Sequence, residues 1–271
     1  MHFMKLKTYT SFYWILLSAL LLMAAALYNG FPLVTSDTGI YIASGFHHFV
    51  PNDRPIVYGL FVRHSSLASS LWFTVALQAI IMSCMLWQVI NKFSTGTLTN
   101  VEKFCIVALI SVLGSIGWYT SQIMPDIFTP IGVFAFLMLL FPAKSKTPTI
   151  FNSILLLLSS LVHNSNLIIF SIMVVALIIY GFFSKSFQSG LLSFRKSLFV
   201  FLLISSSWII APAINYAVDG DYRLTGSPHV FLLAKNVENG IIDKYLDKNC
   251  DRYLMKTLPD SGTFIDRKSV V

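Results

Sequence analysis

The chain has 271 residues, of which 55% are hydrophobic and only 11% are charged, and its mean hydropathy is +0.71. Because an ordinary soluble domain carries about 25% charged residues, this composition excludes a soluble globular protein and indicates an integral membrane protein. The formal net charge is +7, and the positions of the basic residues decide whether they mark membrane topology or an acidic partner.

Three uncharged windows each predict one membrane-spanning helix: residues 11–28, 67–90 and 198–217. A helix needs about 20 apolar residues to cross a hydrocarbon core of about 30 Å. The first window has an alternative, a cleaved signal peptide, because two lysines precede it and three consecutive alanines lie near its end. We favour an uncleaved helix, since the apolar run exceeds the about 7 to 15 residues of a signal peptide.

Two longer windows each predict a pair of helices. Residues 104–141 contain a single charged side chain, Asp126, which follows Pro125. The window is too long for one span, and a proline disfavours helix at the residue before it, so we expect two spans that meet near Asp126. Residues 150–183 contain one ionisable residue, His163, and should form a helical hairpin with its apex at residues 163–166.

The basic residues support a total of seven spans. With seven, the N-terminal end and the loops at 91–103, 142–149 and 184–197 share one side of the membrane and carry nine Lys or Arg residues against one acid, Glu102. Short loops rich in Lys and Arg stay in the cytoplasm. We therefore expect a cytoplasmic N-terminus, with the polar loops on the outer side of the cell (inner) membrane. Eight more basic residues lie in the tail among acids, so the charge does not argue for nucleic acid.

The predicted fold is all-α: a polytopic membrane bundle of about seven transmembrane helices over residues 1–217. Its outer loops are residues 29–66, 119–126 and 163–166. The first of these loops is long and partly apolar, so it should form interfacial helices, broken by Pro51, Pro55 and Gly59.

Residues 218–271 are predicted to form a helical tail on the outer side. Ser227, Pro228 and Gly240 bracket a helix as its N-cap, first residue and C′ glycine. An apolar stripe at helical spacing continues beyond Gly240. Few apolar side chains are available for a separate core, so the tail either packs on the outer face of the bundle or is the start of a larger, truncated region.

The polar residues of the outer loops are the candidates for a functional site. A carboxylate at membrane depth costs about 2.5 to 3.5 kcal/mol on insertion scales, so it tends to line a protein-enclosed cavity. Arginine binds phosphate through a bidentate fork. We expect Asp37 and Asp126 to be catalytic carboxylates, and the substrate-binding candidates are Tyr41, Arg54, Arg63, His64, His163, Asn164 and Asn166.

Each candidate also has a purely structural interpretation. Asp37 and Asp126 could each cap a following helix. Arg54 and Arg63 could extend to lipid head groups, and the polar residues at 163–166 could satisfy the backbone of a tight buried hairpin. A divalent cation bridging the two acids is compatible with their chemistry, although no spacing motif supports it.

An acid soon after the first membrane helix, a long first outer loop and a second acid in the next outer loop resemble the C-type glycosyltransferase superfamily. The similarity is carried by Asp37 in SDTGIY and Asp126 in MPDIF and covers residues 1 to about 217. It implies a sugar donor carried on a polyprenyl phosphate, and a first-loop acid that is catalytic or metal-binding. The chain departs from the family in lacking an Asp-Asp or Asp-Glu pair in the first loop and a WWD-like tail motif.

On this resemblance, Asp37 is expected to act as general base on an acceptor hydroxyl while an arginine stabilises the departing phosphate, with inversion at the anomeric carbon. The expected partners are the polyprenyl-phosphate-linked sugar donor and membrane lipid. Two other classes stay open: a lipid or solute transporter or flippase, and a non-catalytic membrane assembly subunit. Transporters place ionisable residues near the midplane in paired repeats, whereas here the polar residues gather at the predicted outer ends.

Overall fold

The computed structural model describes the backbone of residues 2–141, 146–184, 193–225 and 228–257. Over these ranges the protein is helical, and the only extended pairing is an isolated bridge between Leu33 and Gln122. The predicted all-α class is therefore confirmed for the described residues. The chain separates into two compact units, Met1–Gly226 and Ser227–Val271.

The first unit contains eleven α-helices within its described residues. They are α1 (His2–Leu22), α2 (Ala24–Asn29), α3 (Thr38–His47), α4 (Val57–Ser65), α5 (Leu71–Phe93), α6 (Asn100–Leu113), α7 (Ile116–Ser121), α8 (Phe128–Leu140), α9 (Lys146–Val162), α10 (Asn164–Phe183) and α11 (Phe194–Asp219).

Three helices in the described part of the chain, α5, α10 and α11, are long and apolar enough to cross a membrane. Shorter apolar helical stretches cover residues 11–22, 125–140 and 149–162. These helices support the prediction of a membrane protein. The other predicted spans correspond to helices that are shorter or interrupted, so the number of seven spans stays a prediction. The helix α11 continues through Pro212 to Asp219, so this proline does not end it.

The window 104–141 is interrupted twice. Pro125 begins a 3₁₀ turn, Pro125–Ile127, that leads into α8, so the break near Asp126 is present as expected. A second break at Gly114, which has extended backbone (φ −109°, ψ 172°), ends α6. A lone glycine in an apolar window is a weak signal, which is why the sequence did not predict this break.

The window 150–183 forms the expected helical pair, α9 and α10, but a single residue connects them. His163 has extended backbone (φ −147°, ψ 125°), and its Nδ1 accepts a hydrogen bond from the N–H of Ser165 at 3.2 Å. His163 is therefore the N-cap of α10, and Asn164 and Asn166, expected in an apex, lie in the first turn of that helix.

The first loop forms two helices, α3 and α4, that pack directly against each other. The expectation that Gly59 breaks the second of them is wrong, because Gly59 lies inside α4. A Cβ atom at Gly45 of α3 would lie 2.0 Å from the carbonyl oxygen of Gly59. The two glycines therefore allow the two backbones to approach closely.

The second unit contains α12 (Pro228–Glu238) and α13 (Ile241–Thr257), which contact each other. Pro228 is the first residue of α12, as predicted, and Gly240 has a φ of +65°, the left-handed conformation of a C′ glycine. Ser227, the predicted N-cap, lies outside the described residues.

Candidate functional site

Asp37 is held by an ion pair with Arg54. Arg54 Nη1 lies 2.9 Å from Asp37 Oδ2, and Arg54 Nε donates to Asp53 Oδ2 at 2.8 Å, while Nη2 contacts the same Asp53 oxygen. Asp37 occupies the N-cap position of α3, but its side chain makes no capping hydrogen bond. The carboxylate therefore engages the guanidinium, and the capping interpretation of Asp37 does not hold.

The guanidinium of Arg54 points into the protein rather than toward lipid head groups. Only 16% of the side chain is exposed, and the guanidinium lies over the ring of Tyr41, 5.1 Å from its centroid. Burial opposes the charged form, but the hydrogen bonds to Asp53 and Asp37 outweigh it and raise the pKa of Arg54 above its ordinary value. Arg54 is therefore a permanent positive charge at a fixed position.

Tyr41 forms the buried floor beneath Arg54. Its side chain is 3% exposed, and its ring packs edge-on against Tyr58 with 5.1 Å between ring centroids. Burial raises the pKa of Tyr41 to about 12, and Arg54 opposes this shift. At neutral pH Tyr41 is therefore an uncharged phenol, which can donate a hydrogen bond but cannot serve as a base.

Hydrogen bonds join the start of α3 to the segment that precedes Asp126. The hydroxyl of Thr38 donates to the carbonyl oxygen of Ile123 at 3.1 Å. The N–H of Ile123 donates to the carbonyl of Leu33, and the N–H of Leu33 donates to Ser121, both at 2.9 Å. The 3₁₀ turn that carries Asp126 is thereby attached to the first loop.

Asp126 lies within electrostatic range of Tyr41, as the first-loop acids Asp37 and Asp53 do. The carboxylates of Asp37, Asp53 and Asp126 all act on the phenol of Tyr41. We call Asp37, Asp53, Arg54 and Asp126 the acidic cluster; its three carboxylates and one guanidinium carry a formal charge of −2. Asp53 was not among the predicted site residues, although its position next to Arg54 in the sequence was an available signal.

His163 lies beside this cluster. Burial lowers the pKa of His163, while Asp126 opposes the shift and Arg54 adds to it. The imidazole is therefore close enough to respond to both charged groups and is neutral at pH 7. Its Nδ1 is already occupied as the cap of α10.

This half-buried histidine predicts an acid-sensitive stability. Burial holds the folded-state pKa of His163 below the ordinary histidine value of about 6.5. As the pH falls below that value, the unfolded state therefore binds a proton that the folded state resists. Stability is then lost toward lower pH. The variant His163→Asn keeps a side chain that can cap α10 but does not titrate, so its thermal midpoint should fall less than that of the wild type between pH 7.5 and 5. The control is His47→Asn, because the side chain of His47 is exposed. If the thermal midpoint depends on pH in the same way for the wild type and for His163→Asn, His163 is not the source of the acid sensitivity.

Asn166 is engaged within the bundle. Its Nδ2 donates to the carbonyl of Ser159 at 3.0 Å, and its Oδ1 accepts from the hydroxyl of Thr129 at 2.8 Å. The side chain is 1% exposed, so it links α10 to α9 and α8. Asn164, at the start of α10, is half-buried.

Arg63 and His64 lie near the end of α4 and take no part in the ion pairs among the described residues. Arg63 Nη1 donates to the carbonyl of Gly45 at 3.3 Å and contacts the ring of His48. His64 Nδ1 lies 2.7 Å from the carbonyl oxygen of Leu60. Both residues therefore contact α3 or α4 and do not join the acidic cluster.

Gln78 is a buried polar residue behind the site that the sequence analysis missed. It is fully buried in α5, and its Oε1 accepts from the hydroxyl of Tyr58 at 2.8 Å. Its Nε2 donates to the carbonyls of Thr120 at 3.1 Å and Gln122 at 2.9 Å. One amide in α5 therefore connects the first-loop aromatic residues to the segment leading to Asp126. A lone Gln in an apolar window gives no spacing signal for such a role.

A cavity of about 450 Å³ has Asp126 among its lining residues. It lies between α6, α7 and the start of α8, and its lining residues are Ile110, Gly114, Ser115, Ile116, Tyr119, Asp126, Thr129 and Pro130. Asp126 is the one charged residue in this lining. The carboxylate therefore belongs both to the acidic cluster and to a largely apolar cavity.

A divalent cation bridging Asp37 and Asp126, which the sequence left open, finds no preformed site in the described residues, where no group of three His, Cys, Asp or Glu side chains could hold a metal ion. Asp37, one of the two predicted ligands, has a carboxylate oxygen 2.9 Å from Arg54 Nη1. A cation would compete with the guanidinium for that oxygen, and Ca²⁺ alone requires about 6 to 8 oxygen ligands. The arrangement does not fit a ready metal centre.

No protein-family model, curated protein or solved structure matches the chain. The resemblance to the C-type glycosyltransferases therefore rests on the residues of this chain alone, and its function has to be inferred from the acidic cluster and the adjoining cavity.

Proposed function

We propose that the protein is a multi-pass membrane glycosyltransferase that transfers a sugar from a polyprenyl-phosphate donor to an acceptor hydroxyl. The observation that supports this proposal best is the ion pair of Asp37 with Arg54 over the buried phenol of Tyr41, next to a segment leading to Asp126 that is hydrogen-bonded to the start of α3. The transfer needs a carboxylate to accept a proton and a cation to bind a phosphate, and this arrangement supplies both.

The ion pair between Asp37 and Arg54 suggests an order of events. Arg54 is already engaged by two carboxylates, so a donor phosphate binds it by replacing Asp37, while Asp53 keeps the guanidinium in position. Asp37 is then released to accept a proton. Donor binding thus places the leaving group and frees the base in a single exchange.

The chemical step is a single displacement. Asp37 takes the proton of the acceptor hydroxyl as the hydroxyl oxygen bonds to the anomeric carbon. The bond between that carbon and the phosphate oxygen breaks, and its electron pair leaves with the polyprenyl phosphate, whose charge Arg54 stabilises. The configuration at the anomeric carbon is inverted.

The proposal includes the topology of the chain. Seven crossings place the N-terminus in the cytoplasm and the acidic cluster on the outer face of the cell membrane, with residues 218–271 on that outer side. The nine basic residues against one acid in the predicted cytoplasmic segments support this orientation. The polyprenyl-phosphate sugar would then meet its acceptor at the outer leaflet.

Transfer of a labelled sugar from a polyprenyl phosphate, measured in membranes that contain each variant, tests the proposal. Asp37→Asn removes the base, and loss of general-base catalysis should reduce transfer by about 10²- to 10⁴-fold. The thermal midpoint should change little, because Arg54 keeps its hydrogen bonds to Asp53.

Asp221→Asn is the matched control. Asp221 also pairs with an arginine, Arg223 at 2.9 Å, but its side chain is 66% exposed and lies outside the cluster. Transfer by Asp221→Asn should equal that of the wild type. Equal transfer by Asp37→Asn and the wild type would remove Asp37 as the base.

A further inference from the structure

The cavity beside Asp126 has the size of a ligand site. Its volume of about 450 Å³ falls within the about 300 to 1,000 Å³ typical of small-molecule pockets, which are mostly apolar with few placed polar groups. Ile110, Ile116 and Pro130 supply apolar wall, and Tyr119 supplies an aromatic face. Such a lining favours a hydrocarbon chain over a hydrated sugar or peptide.

Among the polar residues that line the cavity, Asp126 is the one charged acceptor of hydrogen bonds. Asp126 is half-buried, and no ion pair or hydrogen bond within the described residues engages its carboxylate. Of the three hydroxyls in the lining, those of Ser115, Tyr119 and Thr129, the hydroxyl of Thr129 donates its proton to Asn166 at 2.8 Å. A ligand in the cavity therefore meets a charged acceptor of hydrogen bonds at Asp126.

The surroundings of the cavity indicate how a ligand reaches it. Residues adjacent in sequence to its lining are large, apolar and exposed: Leu113 is 78% exposed and Trp118 is 56% exposed. In a membrane protein, exposed side chains of this kind face lipid. The route into the cavity thus passes along an apolar surface, which suits a molecule dissolved in the bilayer.

We propose that this cavity binds the head group of a hydroxyl-bearing lipid, whose O–H donates to Asp126 and whose chain lies along the apolar lining. The donor phosphate is disfavoured there, because an anion next to the Asp126 carboxylate is repelled, whereas Arg54 offers it a cation. If the proposed function holds, on which this last assignment rests, the lipid in this cavity is the acceptor of the sugar.

Photolabelling tests the binding directly. The protein, purified into lipid nanodiscs, is exposed to a long-chain primary alcohol that carries a diazirine, and labelled peptides are identified by mass spectrometry. Label is expected on residues 110–130. Hexadecanol should compete about tenfold better than hexadecyl methyl ether, since a hydrogen bond to a charged group is worth about 1.5 kcal/mol or more and 1.4 kcal/mol is about tenfold. This comparison uses the wild type and does not depend on the folding of any variant.

Asp126→Leu removes the acceptor at nearly constant volume and should abolish the preference for the alcohol over the ether. Asp37→Asn, which lies outside the cavity lining, should retain it. Equal competition by alcohol and ether in the wild type, or label confined to other segments, would overturn the proposed site.

The labelling result and the sugar-transfer result separate the two proposals. A preference for the alcohol together with no sugar transfer by the wild type leaves the lipid site standing and refutes the proposed enzyme. Sugar transfer without any preference for the alcohol leaves the enzyme standing and refutes the lipid site.

Discussion

Gly45→Ala should force α3 away from α4 and abolish sugar transfer. The new Cβ atom would lie 2.0 Å from the carbonyl oxygen of Gly59 and 2.4 Å from its carbon. Both obstacles are backbone atoms, which cannot rotate aside, so the helices must separate. Overpacking of this kind costs about 1 to 3 kcal/mol or more. Asp37 precedes α3 in the chain and Arg54 follows it. A shift of α3 should therefore also disturb their 2.9 Å ion pair.

Gly39→Ala in the same helix is the matched control. A Cβ atom at Gly39 meets nothing within 4 Å, and Ala favours helix over Gly by up to about 1 kcal/mol. This variant should be as stable as the wild type or slightly more stable, with full transfer. Thermal midpoints in detergent and the transfer assay distinguish the two. If Gly45→Ala behaves like Gly39→Ala, the close approach of α3 and α4 is incorrect.

The parts of the fold that could be predicted follow from one-dimensional signals. Uncharged windows predict α5 and α11 because burial in lipid needs continuous apolar sequence. Pro125 marks the break before α8 because it restricts the preceding residue. The same reasoning misassigned Gly59, since a glycine gives the same signal whether it breaks a helix or admits a neighbouring backbone.

The parts that could not be predicted depend on contacts between distant segments. Gln78 bonds to carbonyls more than forty residues away, and no local pattern encodes that pairing. The sequence indicated Asp37 and Asp126 as two acids in separate loops. Their approach depends on Thr38, whose hydrogen bond to Ile123 is equally invisible in the sequence.

Asp53, which was not predicted, has a role in the acidic cluster because it holds the guanidinium of Arg54. In the proposed mechanism Arg54 stays in place while a phosphate replaces its partner Asp37, and a second carboxylate on the same guanidinium, that of Asp53, provides the anchor. Tyr41 beneath it is uncharged at neutral pH, so it adds no further negative charge against the incoming phosphate. The site thus accepts one anion while keeping its cation fixed.

Gln78→Leu should be strongly destabilising although it is a polar-to-apolar change inside α5, a helix apolar enough to cross a membrane. It leaves the Tyr58 hydroxyl and the carbonyls of Thr120 and Gln122 without their hydrogen-bond partner. Each buried group left unpaired costs about 1 to 3 kcal/mol, so we expect a loss of about 3 kcal/mol or more. Because the segment leading to Asp126 loses its anchor on α5, sugar transfer should fall as well.

Two further variants should lose less stability than Gln78→Leu. Tyr58→Phe keeps the ring that packs on Tyr41 but removes one of the three hydrogen bonds, so its loss of stability should be smaller than that of Gln78→Leu. Leu77→Ala truncates the neighbouring side chain of α5, which is 37% exposed, and should change the midpoint least. Thermal unfolding in detergent, followed by intrinsic tryptophan fluorescence, gives the order. If the thermal midpoint of Gln78→Leu equals that of the wild type, the hydrogen bonds of this buried amide do not hold α5 to the first loop, and apolar packing does so instead.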